Sequence, residues 1–139
     1  MKKHAIVIFL VFTTGFFLVS VVSGFHPFEQ KKPWNVPDAA KNKKNPVAAD
    51  AQTIATGKTL WNTHCKSCHG AKGLGDGSKA AQLKTEPGDF SKSETQTQTD
   101  GSLFYKTSEG RDDMPAFKKK VPDEDDRWSL VNFMRTLKK

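Results

Sequence analysis

The chain has 139 residues, a formal net charge of +7 and only two cysteines, three positions apart. That count excludes a wider disulfide framework, and the basic residues lie scattered among acids with no basic stripe interleaved with aromatics, so no nucleic-acid surface is expected. A positive balance favours an acidic partner surface or an anionic membrane face instead. One small domain is all the length allows, and such a domain buries only roughly 60% of its chain surface, so an embedded group would supply core that the chain lacks.

Met1-Lys2-Lys3-His4 forms a short positive start, followed by Ala5 to Val22 without a charge. A signal peptide has an apolar region of about 7–15 residues and a membrane span needs about 20, and this run falls between them. Val22-Ser23-Gly24 offers small residues for cleavage before Phe25. Residues 1–24 therefore read as a signal peptide or a membrane anchor, with residues 5–22 as the tether in the second case. Either way the rest of the chain is expected on the periplasmic side of the cytoplasmic membrane. Residues 25–49 carry Pro27, Pro33, Pro37 and Pro46 among Lys, Asn and Asp and read as a tether. The alternative is an arm that packs Phe25, Phe28 and Trp34 on the domain.

Residues 50–139 read as the folded domain. Ile54, Gly57, Leu60 and Trp61 recur at helical spacing between Ala51 and His64, with Asp50 as N-cap. A glycine cluster, Gly70 to Gly77, follows, then a short helix over 79–83 and a Thr-, Ser- and Gln-rich loop over 84–99. Asp100 is expected to cap a helix over 101–109, with Leu103, Phe104 and Thr107 inward and Gly110 as its stop. The last helix has Asp123 as N-cap, three acids in its first turn, and Leu130, Phe133, Met134 and Leu137 on one face, widened by Trp128 and Val131. It is expected to pack on the Gly57/Trp61 face, because a glycine lets two backbones approach. Little in the chain suggests strand, so the fold class is all-α.

The two thiols stand in Cys65-Lys66-Ser67-Cys68-His69. Thiols three apart on one helical turn point to the same side, and an imidazole directly after the second can bind iron, which is the requirement for attaching a c-type haem through its two vinyl groups. A redox-active disulfide would need a βαβ pattern that the chain lacks. A structural zinc site would need further ligands, for which only His64 and His26 are at hand. For the iron's other face the candidate is Met114, in a loop and stiffened by Pro115; the plainer reading is a gap-filling methionine. Met134 lies on the apolar face of the last helix and reads as core, His64 as an exposed neighbour, and His26 as a remote second option.

Over residues 51–137 these features resemble the class I c-type cytochromes, a family of exported bacterial monohaem proteins among others. The resemblance rests on the helix with Gly57 and Trp61, on Cys65 to Gly70, on Gly73-Leu74-Gly75-Asp76-Gly77, on Pro87-Gly88-Asp89-Phe90, on Asp100-Gly101-Ser102-Leu103-Phe104, on Met114-Pro115-Ala116-Phe117 and on Trp128 to Leu137. It implies three to four helices wrapped round one covalently bound haem c, with Cys65 and Cys68 as thioethers, His69 as proximal and Met114 as distal iron ligand. It also implies a single-electron carrier and not an enzyme, working between a redox protein donor and acceptor or a membrane respiratory complex. The alternatives are an electron-entry subunit of a larger oxidase or reductase, and a haem enzyme or gas sensor with an open distal site. Many relatives carry a proline after the glycine turn whose carbonyl accepts the proximal histidine's other ring proton; here that place looks like Ser78, which leaves a carbonyl at Gly77 or Ser78 to serve. Lys66, Lys72, Lys79 and Lys118 to Lys120 are candidates for a docking rim.

Overall fold

A computed structural model describes residues 33–139, so the expected leader and the N-terminal part of the expected tether, with His26, Phe25 and Phe28, lie outside the described residues. The described secondary structure is helical: α1 (Asp38–Lys41), α2 (Ala51–His64), α3 (Lys66–His69), a 3-10 turn (Ala80–Gln82), α4 (Ser93–Gln96), α5 (Asp100–Glu109) and α6 (Glu124–Thr136). Extended pairing among these residues is confined to one isolated bridge between Arg111 and Met114. No described helix is long and apolar enough to cross a membrane.

The ends of the long helices follow from their caps. Asp50 accepts from Thr53 N at 2.9 Å while Thr53 Oγ1 takes the Asp50 N–H, a reciprocal capping box that starts α2. Asp123 accepts from Asp125 N and Asp126 N to start α6. The cap of α5 differs from expectation. Thr99 Oγ1 accepts from Ser102 N at 3.2 Å, whereas Asp100 receives the Arg135 guanidinium, with Nε at 2.8 Å. A carboxylate held by an arginine across the fold is drawn away from its own helix terminus, and the preceding threonine caps in its place.

The centre of the molecule is the crossing of α2 and α6. Gly57 is buried, and a Cβ built on it would fall on the Ser129 carbonyl oxygen and lie 2.9 Å from Phe133 Cβ. One turn on, Trp61 is completely buried, its ring centroid 5.7 Å from that of Phe133. Leu130, Val131 and Met134 complete this core from α6, and Leu103 and Phe104 from α5, where Phe104 stacks on Trp128 at 3.9 Å. Each fully buried aliphatic or aromatic side chain stabilises by about 1.5–3 kcal/mol, so this cluster carries most of the fold.

Three polar residues of α6, the buried Arg127 and Asn132 and the half-buried Arg135, tie the loops down. Arg127 donates to the carbonyls of Val121, Pro122 and Asp123 and to Ser108 Oγ. Asn132 donates to the carbonyls of Val47 and Ala48 and accepts from Asn45 Nδ2 at 2.7 Å. Arg135 reaches the carbonyls of Gln96 and Gln98. The loop over 84–99, apolar-poor in sequence, gains its order from these bonds and includes α4.

Residues 33–49 differ from a free tether. Val36 is 4% exposed, Lys43 Nζ lies 2.6 Å from Glu124 Oε1, and a Cβ on Gly101 would fall on the Ala40 carbonyl oxygen. A glycine at the start of α5 and an asparagine in α6 give this proline-rich stretch a bed that its own composition does not reveal.

Alanine at an exposed helix position is worth about 1 kcal/mol over glycine; at Gly57 the sign should reverse. Gly57→Ala should destabilise by about 1–3 kcal/mol in urea unfolding, because the Ser129 backbone cannot yield without parting the helices. The bond from Lys43 holds the Glu124 carboxyl below its usual 4.5. A depressed carboxylate stabilises above its unfolded value, and that stability fades as pH falls through the folded one. Both side chains are about half exposed, so Lys43→Met should cost at most about 1 kcal/mol at pH 7, with the carboxylate's share of that cost fading below about pH 4.

Candidate functional site

Helix α2 runs out at His64, and the chain turns at once into the single turn α3. Cys68 N and His69 N both donate to the Cys65 carbonyl, at 3.1 and 2.9 Å, which places the two thiols and the imidazole on one tight turn. Its last carbonyls would be left bare, and the glycine loop covers them. Gly75 N donates to His69 O, Gly77 N to Cys68 O and Lys79 N to Ser67 O. That wrap needs close backbone approach, since a Cβ on Gly77 would lie 2.5 Å from the Cys68 carbonyl, and it needs the left-handed Gly70, φ 81°, at the exit of α3.

Trp61 joins this turn to the core. Its Nε1 donates to the Gly70 carbonyl at 3.0 Å, and its ring centroid lies 5.5 Å from that of His69. Phe90 meets both rings edge to face, at 5.1 Å from Trp61 and 5.3 Å from His69. His69 is thus fixed between two aromatics. Burial pushes its pKa down to about 4, opposed by the Pro87 backbone, so the imidazole is neutral and keeps a lone pair at physiological pH. Its Nδ1 is buried with no partner in hydrogen-bond geometry; Pro87 is the backbone group that acts on it without closing that bond. Gly77 O, one of the two carbonyls expected for this role, is taken by Ala80 N. Both cysteines are free, and burial first, then Cys68, pushes the Cys65 thiol up to about 12.

Met114 stands in the loop after α5. Gly110 turns the chain, Asp112 adopts φ 51°, and Arg111 and Met114 exchange backbone bonds of 2.8 and 2.9 Å, so the methionine closes a small antiparallel turn. Phe117 N donates to Thr107 O and Asp113 Oδ2 accepts from Lys84 N at 2.7 Å, which ties this loop to α5 and to the loop before Pro87. Cys65, Cys68, His69 and Met114 all line one cavity of about 340 Å3, together with Leu83, Phe90, Leu103 and Phe117. His64 reaches it with its ring 6.0 Å from Phe117, and Met134, 3% exposed, belongs to the core and touches the cavity from below α6's apolar face. Among the described residues no group of three or more His, Cys, Asp and Glu is arranged to hold a metal ion.

The family model described as cytochrome c oxidase, cbb3-type, subunit III matches residues 52–134. The chain belongs to this family. It is a c-type cytochrome, and such a domain implies electron transfer and a covalently bound c-type haem. Among solved structures, a chain of the Kuenenia stuttgartiensis reducing HAO-like protein complex Kustc0457/Kustc0458 aligns with TM-score 0.60 and 25% identity over 81% of this chain. This protein spans about half of that chain, 54%. The KustC0563 c-type cytochrome aligns with TM-score 0.53 and 29% identity over 60% of this chain and 98% of its own. No curated protein matches.

The cavity fits the group that the family implies. Two free thiols, a neutral imidazole and a thioether line one largely apolar cavity; the thiols are suited to thioether attachment and the other two are soft and borderline donors suited to iron. Sequence reasoning brought those four residues forward; it named Pro87 and Phe90 only as part of a motif and did not see that both act on His69. It also undervalued Trp34, which lines the cavity.

Trp61→Phe keeps the ring and removes the bond to the buried Gly70 carbonyl. Leaving that acceptor unpaired should cost about 1–3 kcal/mol in denaturant unfolding, with the helix content in the folded state retained.

Proposed function

We propose that the protein is a single-electron carrier with one haem, attached through Cys65 and Cys68 and bound at iron by His69 and Met114. The reading is carried by the convergence of two thiols, an imidazole and a thioether on one cavity. One haem follows from two cysteines, which provide one pair of thioether bonds. Bound there, a c-type haem supplies a one-electron iron couple, and a distal thioether favours its reduced form relative to a second imidazole.

The residues of this chain do the rest. Trp61 and Phe90 hold the imidazole ring in place, and its neutral state leaves one nitrogen free to coordinate. The Arg111–Met114 turn presents the thioether to the cavity. With His69 and Met114 both holding the iron, no coordination site would remain for a substrate, which favours a carrier over a haem enzyme or gas sensor. Redox proteins on both sides of the electron's path are the partners, and the apolar run over 5–22 supports a place on the periplasmic side of the membrane, free or anchored. A second reading, as a subunit of a larger oxidase or reductase, draws on the likeness to a chain of the reducing HAO-like complex.

The reduced protein should be low-spin and slow to bind carbon monoxide. Met114→Ala should open the iron and make that binding fast in stopped-flow mixing; rapid binding by the unaltered protein, or ligation unchanged in the variant, rules out the assignment of Met114.

A further inference from the structure

Beside Trp61, the groups that act on His69 are the backbone of Pro87 and the ring of Phe90, and both belong to one loop. That loop turns at the left-handed Gly88, φ 81°, and Phe90 is its one large apolar residue, so bonds and not packing fix most of its course. Phe90 N donates to Gly73 O at 2.7 Å, which joins it to the glycine wrap. From α4, two consecutive side chains take two consecutive carbonyls of the loop. Thr95 Oγ1 donates to Asp89 O at 2.9 Å, and Gln96 Nε2 donates to Phe90 O at 2.6 Å.

Gln96 Nε2 donates also to Met134 O, at 2.9 Å. One amide thus commits both of its protons to two carbonyls and ties the loop to the last turn of α6. Arg135 Nη1 in turn donates to Gln96 O at 2.9 Å and holds the short helix that carries the amide. A plainer account would have Gln96 serve only to cover a carbonyl at the end of α6. Capping α6 does not account for Thr95, whose hydroxyl bonds the loop.

We propose that Thr95 and Gln96 are positioning residues for the proximal ligand: through the Asp89 and Phe90 carbonyls they hold the loop of Pro87 and Phe90 against His69 and so set how strongly the imidazole donates to iron. The proposal rests on the haem reading above. An acceptor close to one ring nitrogen makes the other a stronger donor, which favours oxidised iron, and an acceptor that recedes does the reverse. The small helix α4, which has no buried residue of its own, gains in this way a role at the metal.

The test uses the full chain matured with covalent haem. It reads the midpoint potential by spectroelectrochemical titration, in isolation from any partner, and the exchange of the His69 ring proton with solvent by NMR of the reduced protein. Thr95→Val keeps the shape and drops the hydroxyl; Gln96→Met keeps the length, drops both donors and adds no charge. Each should shift the reduced-to-oxidised ratio at fixed poise several-fold toward reduced and speed ring-proton exchange several-fold, whereas Thr95→Ser should match the unaltered protein. Thr97→Val serves as the reference, because Thr97 is exposed and its hydroxyl donates to Ser93 O within the turn of α4. If Thr95→Val and Gln96→Met equal that reference in potential and exchange, the proposal is overturned even where their unfolding midpoints fall, since lost stability alone is what a purely structural clamp would give. Haem staining and the low-spin spectrum of the unaltered protein report separately on the haem reading: a chain without covalent haem sinks that reading and the clamp together, whereas a haem-loaded chain with unmoved potentials sinks the clamp alone.

Discussion

The contact on which the rest depends is that of the Gly57 backbone with the Ser129 carbonyl. It brings α2 and α6 close enough for Trp61 to lie between them with no exposed surface, and Trp61 is at once a core residue and a wall of the site. The same indole touches Phe133, Phe90 and His69 and bonds the Gly70 carbonyl. A shift at the crossing is therefore a shift at the imidazole. Close packing transmits such displacements because few voids exist to absorb them.

Around that crossing, α6 works as a spine with two kinds of side chain. Its apolar residues make the core, while Arg127, Asn132 and Arg135 bind backbone carbonyls of three separate loops. Buried polar groups are tolerated only when bonded, and here each bond also orders a stretch with little apolar surface of its own. The cavity thus has walls made of loops but held by a helix. Burial keeps two of the groups on it uncharged: the His69 imidazole is neutral and the Cys65 thiol is held in its protonated form.

Much of this was legible in the sequence, for identifiable reasons. Helix α2 could be read to its boundaries because Asp50 caps it and Gly57, Leu60 and Trp61 repeat at its period; α6 could be read for the same reasons. Cys65, Cys68 and His69 announce themselves by spacing alone, and Met114 by being an apolar residue outside any helical stripe. What escaped depends on partners distant in the chain. Thr99 and not Asp100 caps α5 because Arg135, 35 residues later, claims the aspartate. Residues 33–49 looked like a tether because proline and lysine predominate, and their bed is made of Gly101, Glu124 and Asn132. The role of Pro87 escaped for a related reason: its influence on His69 spans 18 positions and passes through a carbonyl, which every residue has.

The separation of the two helices that cross has a consequence for how the molecule is assembled. Gly57 and Ser129 stand near opposite ends of the domain, and everything between them is a loop that their contact closes. A chain that emerges from its N-terminus presents Cys65 and Cys68 before the residues that bury them have been made. In the finished fold Cys65 is 6% exposed and its thiol is reluctant to ionise. Chemistry at the Cys65 sulfur is accordingly easier for the incomplete chain than for the finished fold, in which the closing of the last helix shuts the thiol away.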